Sequence, residues 1–179
     1  MLINGVSAML ELLSPAGDME RLRMAVTYGA DAVYLGYGDF NARRNAKNFS
    51  LEELAAAVSY CHVRGAKVFL TLNTLVSDRE MKEAAELIRH AAQYNIDAFI
   101  VQDLGVVQLC RQIAPQVSIH GSTQLTVHSL AGVQMCAAMG MDRVVLSREL
   151  NRQEIAYICA NSPIEIEIFG HGALCMCYS

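Results

Sequence analysis

The residues with the greatest chemical potential lie in the last stretch of the sequence, EIFGHGALCMCYS, from Glu167 to Ser179. Cysteine thiolates bind zinc or iron–sulfur clusters when several of them converge. Cys175 and Cys177 supply two such ligands at most, and His171 stands between two glycines that let a backbone approach a ligand closely. Taken alone, this pattern indicates either a metal site or two buried thiols at the end of a strand.

Polar side chains also follow the other predicted strands. His120 and Gln124, expected after strand five, can hydrogen-bond a substrate carbonyl or the edge of a base. Arg148 can pair its planar guanidinium with a carboxylate. Each can instead close a loop or cap a helix, and for His120 and Arg148 the two interpretations weigh about equally. With His171, these residues form the predicted catalytic set.

A second group is predicted to bind substrate: Asn41, Arg43, Asn73 and Glu149. Asn41 and Arg43 lie in the longest predicted loop and can reach over the site. Glu149 can hold the neighbouring arginine in place. A purely structural role is the alternative for each of them.

The elements that must position these residues alternate strictly, with seven strands and six helices predicted at intervals of about 25 residues, typical of βα units in a parallel sheet. Such alternation fits a doubly wound sheet or a (β/α)8 barrel. No G-x-G-x-x-G follows the first strand, and polar residues cluster after every strand. The sequence therefore predicts a single domain over residues 1–179, an α/β TIM-like barrel that lacks its eighth strand.

An incomplete barrel leaves the edges of its first and seventh strands unpaired, and such edges seek another chain. We therefore expect self-association through the open barrel edges. Asp18, Ser50, Asp103 and Asn151 are predicted N-caps, with Glu53 at the capping-box position after Ser50, and Ser77 or Asp78 is expected to open the third helix.

Composition limits the class of protein. The 179 residues are 53% hydrophobic and carry a net charge of −4, with no basic block that would mark nucleic-acid binding. No apolar run reaches the roughly 18 residues of a membrane span, and no signal peptide is apparent. Four cysteines lie in helical patterns and are predicted to be structural thiols: Cys61, Cys110, Cys136 and Cys159. These features predict a cytoplasmic, reducing location.

Several blocks occur in the order found in one family. EIFGHGALCM, Glu167 to Met176, matches position by position the pattern Glu, any, Phe, two of any, Gly, any, Leu, Cys, then Met or an aromatic. Further similar blocks are ELLSPAGD, GADAVYLG, FNARRNAKNF, TLNT and LSREL. Together they resemble the U-thirty-two, or collagenase-like, peptidase family across nearly the whole chain. The FNAR and HGSTQ blocks look most like its longer bacterial members.

The resemblance implies a function that the family name does not state. Related hydroxylases act without oxygen on a ribosomal RNA cytidine, a tRNA uridine or the ubiquinone ring, and the RNA-modifying ones look to prephenate as the source of the hydroxyl group. Cys175 matches a ligand of their iron–sulfur cluster. The chain is then expected to be the N-terminal part of a longer protein, with the ribosomal cytidine as the favoured substrate.

Two other functions stay open. A collagenase-like peptidase would act on peptides, but the sequence contains neither G-x-S-x-G nor H-E-x-x-H. A Cys175–His171 pair is conceivable, although residues four apart in a glycine turn seldom hold the geometry that proton transfer needs. The chain can also be a binding or scaffold domain that is inactive by itself.

Overall fold

The computed structural model describes residues 10–38, 40–41 and 48–172. Among the residues singled out above, Arg43, Cys175 and Cys177 lie outside the described residues. Across those ranges, every helix is too short or too polar to cross a bilayer.

Strands and helices alternate in the predicted order. Their bounds are β1 Leu13–Pro15, α1 Met19–Thr27, β2 Ala32–Gly36, α2 Leu51–His62, β3 Lys67–Leu72, α3 Met81–Gln93, β4 Ala98–Val101, α4 Leu104–Ile113, β5 Ser118–Gly121, α5 Leu130–Ala138, β6 Arg143–Val145, α6 Arg152–Asn161 and β7 Glu165–Glu167. A short 3-10 turn, Thr123–Leu125, follows β5.

The strands form one parallel sheet in chain order, from β1 to β7. Each strand pairs only with its sequence neighbours, so β1 and β7 are the two edges and do not pair with each other. The described residues contain no eighth strand. The sheet and its six helices form a curled, incomplete TIM-like barrel, which confirms the predicted fold.

The two faces of the sheet carry different cores. The outer face packs against the helices in a large apolar cluster that includes Val68, Leu70 and Ile119. The inner face holds a much smaller apolar cluster of Ala32, Phe69, Ala98 and Ile100. Residues alternate between these faces along each strand because successive side chains point to opposite sides. The inner face therefore has room for the polar groups described below.

Local sequence explains most helix starts. Ser50 and Glu53 form a capping box at α2, and Asn151 and Glu154 form another at α6. Asp103 caps α4 by accepting hydrogen bonds from the backbone N–H groups of the next turn. The expected caps at Asp103 and Asn151 are thus confirmed.

The predicted start of α3 is wrong. The helix begins at Met81, after a turn in which the Ser77 backbone N–H and hydroxyl both donate to the Glu80 carboxylate. This local pairing occupies the side chain that would otherwise cap a helix starting at Ser77.

The helical cysteines behave as structural thiols, with one exception. Cys61, Cys110 and Cys136 are buried, whereas Cys159 is exposed on α6. Burial raises the pKa of Cys61 to about 11 and that of Cys110 to about 12. These two thiols are therefore protonated at neutral pH and are poor nucleophiles.

Candidate functional site

Polar residues of the inner face gather at the lower end of the barrel, where the strands begin. Arg143, the first residue of β6, donates from Nε and Nη2 to Oε2 of Glu165 at 2.8 and 2.6 Å. Its Nη1 donates to Oε1 of Glu11 at 2.6 Å and to Oε2 of Glu167 at 3.5 Å. Lys67 Nζ binds the second oxygen of Glu11 at 2.6 Å. We call these five residues the Arg143 cluster.

The carboxylates of the Arg143 cluster differ in environment. Burial acts to raise the pKa of Glu11, but the hydrogen bonds from Lys67 and Arg143 outweigh it and hold that pKa below its usual value. Burial also raises the pKa of Glu167, and there Arg143 offsets only part of the effect. Three carboxylates thus share two cations in one ion-paired network, and Glu167 is the least compensated of them.

His120 lies inside the barrel, next to this cluster. It is a residue of β5 itself, so its expected position beyond the strand is wrong. The ring is only 3% exposed and meets the Phe69 ring edge-on, with centroids 4.7 Å apart. Burial, aided by the charge of Arg143, lowers the pKa of His120 to about 3. A catalytic role stays a prediction, and at neutral pH it would require the uncharged ring.

The opposite, upper end of the barrel holds a cavity of about 390 Å³ where β6 and β7 end. Its lining includes Arg148 and His171, two of the four predicted catalytic residues, together with Ser147 and Phe169. The Arg148 guanidinium carbon lies 4.6 Å from the centre of the Phe169 ring, a cation–π contact. We call this space the mouth cavity.

Ser147 is the polar residue of the mouth cavity that sequence reasoning missed. It is 3% exposed, and its hydroxyl has no hydrogen-bond partner among the described residues. Serine beside a strand end is too common to stand out in a sequence. Arg143 was also missed, because an arginine at the start of a strand is not unusual. The alternating glutamates of β7 do indicate that the inner face is charged and needs a cation.

The other predicted residues that the structure describes do not line the mouth cavity. Gln124 sits exposed in the 3-10 turn, where its backbone carbonyl accepts a hydrogen bond from Gln102 Nε2 at 3.5 Å. Asn73 follows β3, and Glu149 is exposed after β6. Of the predicted residues within the described ranges, the mouth cavity therefore brings together Arg148 and His171.

Asn41 has a clear structural environment. It is 2% exposed, and its Nδ2 donates to the Gly38 carbonyl at 2.9 Å and to Oδ1 of Asn48 at 3.2 Å. A Cβ placed on Gly36 would lie 2.8 Å from Asn41 Cγ, so only glycine leaves room for this side chain. Asn41 thereby fixes the two ends of the long loop to each other. Its role in binding substrate stays a prediction.

A metal or cluster would need several ligands in one place. Within residues 10–38, 40–41 and 48–172, no three His, Cys, Asp or Glu side chains converge in a way that could hold a metal ion. The described residues therefore do not fit an iron–sulfur cluster by themselves, and Cys175 lies outside them.

Comparison with known families decides the relationship. The sequence model of "Peptidase family U32" matches residues 17–179 of the chain. The chain belongs to this family. Membership accounts for the blocks noted in the sequence, which run from the first strand to the terminal Cys175 stretch.

Curated relatives in the family carry different functional names. The chain is 44% identical to the 23S rRNA 5-hydroxycytidine C2501 synthase of Escherichia coli, over 95% of this chain and 25% of that protein. It is 40% identical to the tRNA hydroxylation protein P1 of Bacillus subtilis, over 94% of this chain and 40% of that protein. A collagenase of Porphyromonas gingivalis is 34% identical, over 94% of this chain and 43% of that protein. The chain thus spans less than half the length of these relatives.

Solved structures support the fold. The U32 peptidase Mk0906 superposes with a TM-score of 0.73 at 14% identity, covering 91% of this chain and 69% of that one. A thiamine phosphate pyrophosphorylase from Pyrococcus furiosus gives a TM-score of 0.64 at 16% identity, covering 90% and 75% of the two chains. At such identities the likeness concerns the fold alone.

Proposed function

We propose that this chain is the N-terminal barrel domain of a longer protein that hydroxylates a pyrimidine base of RNA, with a ribosomal cytidine as the first candidate. The observation that carries the proposal is the 44% identity, over 95% of this chain, to a 23S rRNA 5-hydroxycytidine synthase. The same proposal puts the protein in the cytoplasm, where its RNA substrate resides.

The geometry of the upper end supports this proposal. Enzymes built on barrels of this kind carry their chemistry on the loops that follow the strands. Arg148 and His171 lie in those loops and share one cavity, whereas the lower end holds the ion-paired Arg143 cluster. A substrate would therefore bind at the mouth cavity.

An iron–sulfur cluster is part of the proposal for the longer protein. Cys175 would be one ligand, and the others would come from residues outside those described here. Such a cluster would supply electron transfer, which suits redox chemistry on a base better than hydrolysis. Arg148 would orient a carboxylate-bearing co-substrate such as prephenate through its planar guanidinium.

Nucleoside analysis tests the hydroxylase. The gene is deleted in its host, ribosomal and transfer RNA are separated, and each is digested and examined by mass spectrometry. We expect one hydroxylated pyrimidine to disappear from ribosomal RNA and to return when the full-length gene is restored. Loss from transfer RNA would keep the hydroxylase and change its substrate. Unchanged nucleosides in both pools would end the proposal.

The cluster has a separate test. The full-length protein is purified without oxygen as wild type, as Cys175→Ser and as the control Cys159→Ser, which removes an exposed cysteine of α6. We expect iron and visible absorption in the wild type and the control, and their loss in Cys175→Ser. A colourless, iron-free wild type after attempted reconstitution would remove the cluster from the proposal.

A peptidase is the second candidate, because the chain is 34% identical to a collagenase. Cleavage of gelatin by the purified full-length protein is the direct test. A hydrolase should cleave it without iron, and activity should fall by more than tenfold in Cys175→Ser if that thiol is the nucleophile. If gelatin stayed intact under all conditions, the result would contradict the peptidase and leave the hydroxylase as the remaining candidate.

The edges of the sheet support self-association of residues 1–179 produced alone. The outermost strands are unpaired on one side, and apolar residues beside them are exposed, with Leu12 at 53% and Ile168 at 51%. Unpaired backbone groups and apolar surface together favour pairing with a second chain. Light scattering at rising concentration should show dimers or larger species, and a monodisperse monomer would contradict this.

A further inference from the structure

The mouth cavity has the composition of a small-molecule site. Its volume of about 390 Å³ falls within the range of roughly 300 to 1,000 Å³ typical of ligand pockets. Leu146, Leu150, Ile155 and Ile168 supply apolar walls, and no carboxylate lines it among the described residues. The polar groups are few and distinct, as expected where they fix the orientation of a ligand.

The Ser147 hydroxyl needs a partner from outside the described residues. The residue is 3% exposed, and its backbone N–H is already bonded to the Val127 carbonyl at 2.9 Å. A buried hydroxyl without a partner is unfavourable, and alanine would avoid that loss. A ligand in the mouth cavity can supply the missing bond. A hydroxyl both donates and accepts, so it suits either the amino group or a carbonyl of a pyrimidine.

Phe169 and Arg148 offer a planar surface in the same cavity. The Phe169 ring is 41% exposed despite the guanidinium above it. Gly172 lies near one edge of the ring, because a Cβ built on it would be 3.4 Å from Phe169 Cδ1, so a base would approach the part of the ring that stays exposed. Aromatic rings and guanidinium planes are the surfaces on which proteins stack unpaired bases of RNA.

We propose that the mouth cavity receives the target pyrimidine of the RNA, stacked on Phe169 and Arg148 and hydrogen-bonded by the Ser147 hydroxyl. The inference rests on the proposed RNA hydroxylase and names the site that holds its base. An enzyme that modifies a base removes it from its stack and holds it in such a pocket.

Binding of a fluorescein-labelled cytidine hexamer to the full-length protein, followed by anisotropy, is the test. Phe169→Leu keeps an apolar side chain but removes the ring, and we expect it to weaken binding between about 5-fold and 150-fold, the range measured for loss of one stacked base. Ser147→Ala should weaken binding about 2-fold to 10-fold. Phe169→Tyr keeps the ring and should bind as the wild type does.

Two exposed residues away from the cavity serve as matched controls. Tyr157→Leu removes an aromatic ring of α6 that is 61% exposed, and Ser59→Ala removes an exposed hydroxyl of α2. Both should bind within 2-fold of the wild type. Equal binding by the wild type, Phe169→Leu and Ser147→Ala would overturn the assignment. If Phe169→Leu fails to fold by circular dichroism, Ser147→Ala decides the question alone.

The binding test and the nucleoside test fail independently. Unchanged nucleosides after gene deletion would remove the hydroxylase while leaving a hexamer site that depends on Phe169 in place. A restored hydroxylated nucleoside together with full binding by both variants would keep the hydroxylase and move its base to another site.

Discussion

The charged cluster at the lower end of the barrel and Ser147 at the upper end differ in how their polar groups are satisfied, although the buried His120 Nδ1 at the lower end also lacks a partner among the described residues. At the lower end, Arg143 places its guanidinium between Glu11, Glu165 and Glu167, so each charge meets an opposite one. At the upper end, the Ser147 hydroxyl is buried and has no partner among the described residues. Removing one member of an ion-paired cluster leaves the other charges uncompensated, whereas a polar group without a partner is available to a ligand.

The strongest test of this contrast is to remove Arg143. In Arg143→Met, the partly buried Glu167 loses its counter-charge and Glu11 keeps only Lys67, and we expect the free energy of unfolding to fall by about 3 kcal/mol. We choose the smallest loss in the range for broken buried ion pairs, because the Glu165 side chain is 68% exposed. Urea unfolding measures it. Arg152→Met, at an exposed position of α6, is the control and should change stability by less than about 0.5 kcal/mol.

A second test concerns His120 and pH. The folded state holds the pKa of His120 at about 3, against an ordinary value of 6.5. The unfolded chain therefore takes up a proton below pH 6.5 that the folded chain refuses, so stability falls as the pH drops from 6.5 towards 3. Between pH 7 and pH 5, protonation of His120 in the unfolded chain lowers the free energy of unfolding by about 2 kcal/mol.

The comparison is made with His120→Leu, which should lose that part of the pH dependence in urea unfolding at pH 7 and pH 5. His90→Gln, at an exposed position of α3, controls for removal of a surface histidine. Identical pH profiles for the wild type and His120→Leu would show that His120 is protonated normally in the folded protein.

A substitution at Gly36, beside the long loop, is expected to lower stability by a smaller amount. Gly36→Ala puts a methyl group 2.8 Å from Asn41 Cγ and should displace the amide from its hydrogen bonds. We expect a loss of about 1 kcal/mol in urea unfolding. Gly17→Ala is the control, because its methyl group would meet only the flexible Arg21 side chain, at 3.4 Å. Equal stability of the two variants would show that Asn41 does not fix the loop.

The smallest expected effect sharpens the contrast most. Ser147→Ala removes a buried hydroxyl that has no partner, so the free energy of unfolding should change by less than about 0.5 kcal/mol, or rise slightly. If the free energy of unfolding fell by 1 kcal/mol or more, the Ser147 hydroxyl would have a structural partner, as the charged groups of the Arg143 cluster do.

The alternation of elements could be predicted from the sequence because each βα unit carries its own signals. Ser50 with Glu53, and Asn151 with Glu154, are short-range patterns, and the structure has both capping boxes. The start of α3 was misplaced because Ser77 pairs with Glu80 in a turn instead of capping a helix. The sequence alone does not show whether such a serine side chain will bond within a turn or cap a helix.

The site was harder to predict because its members meet only in three dimensions. Arg148 and His171 share the mouth cavity as expected, but His120 lies within β5 and faces the lower interior. The register of a strand end decides whether a residue belongs to the interior or to the loop above it, and one residue changes the answer. Ser147 gives no signal in the sequence, and the signal for Arg143 is indirect, from the alternating glutamates of β7, because the importance of both residues comes from burial and partners that the sequence does not display.

The sheet order also bears on how the barrel forms. Every strand pairs with its neighbour in the chain, so the sheet can grow one unit at a time through contacts of modest sequence separation. The Arg143–Glu11 bond is different, since it joins residues 132 positions apart and can close only after β6 has been added. We expect a contact of such long sequence separation to form after the transition state for folding, so its loss should speed unfolding more than it slows folding. The Arg143–Glu11 bond would thus slow the unfolding of a barrel whose first and last strands do not pair with each other.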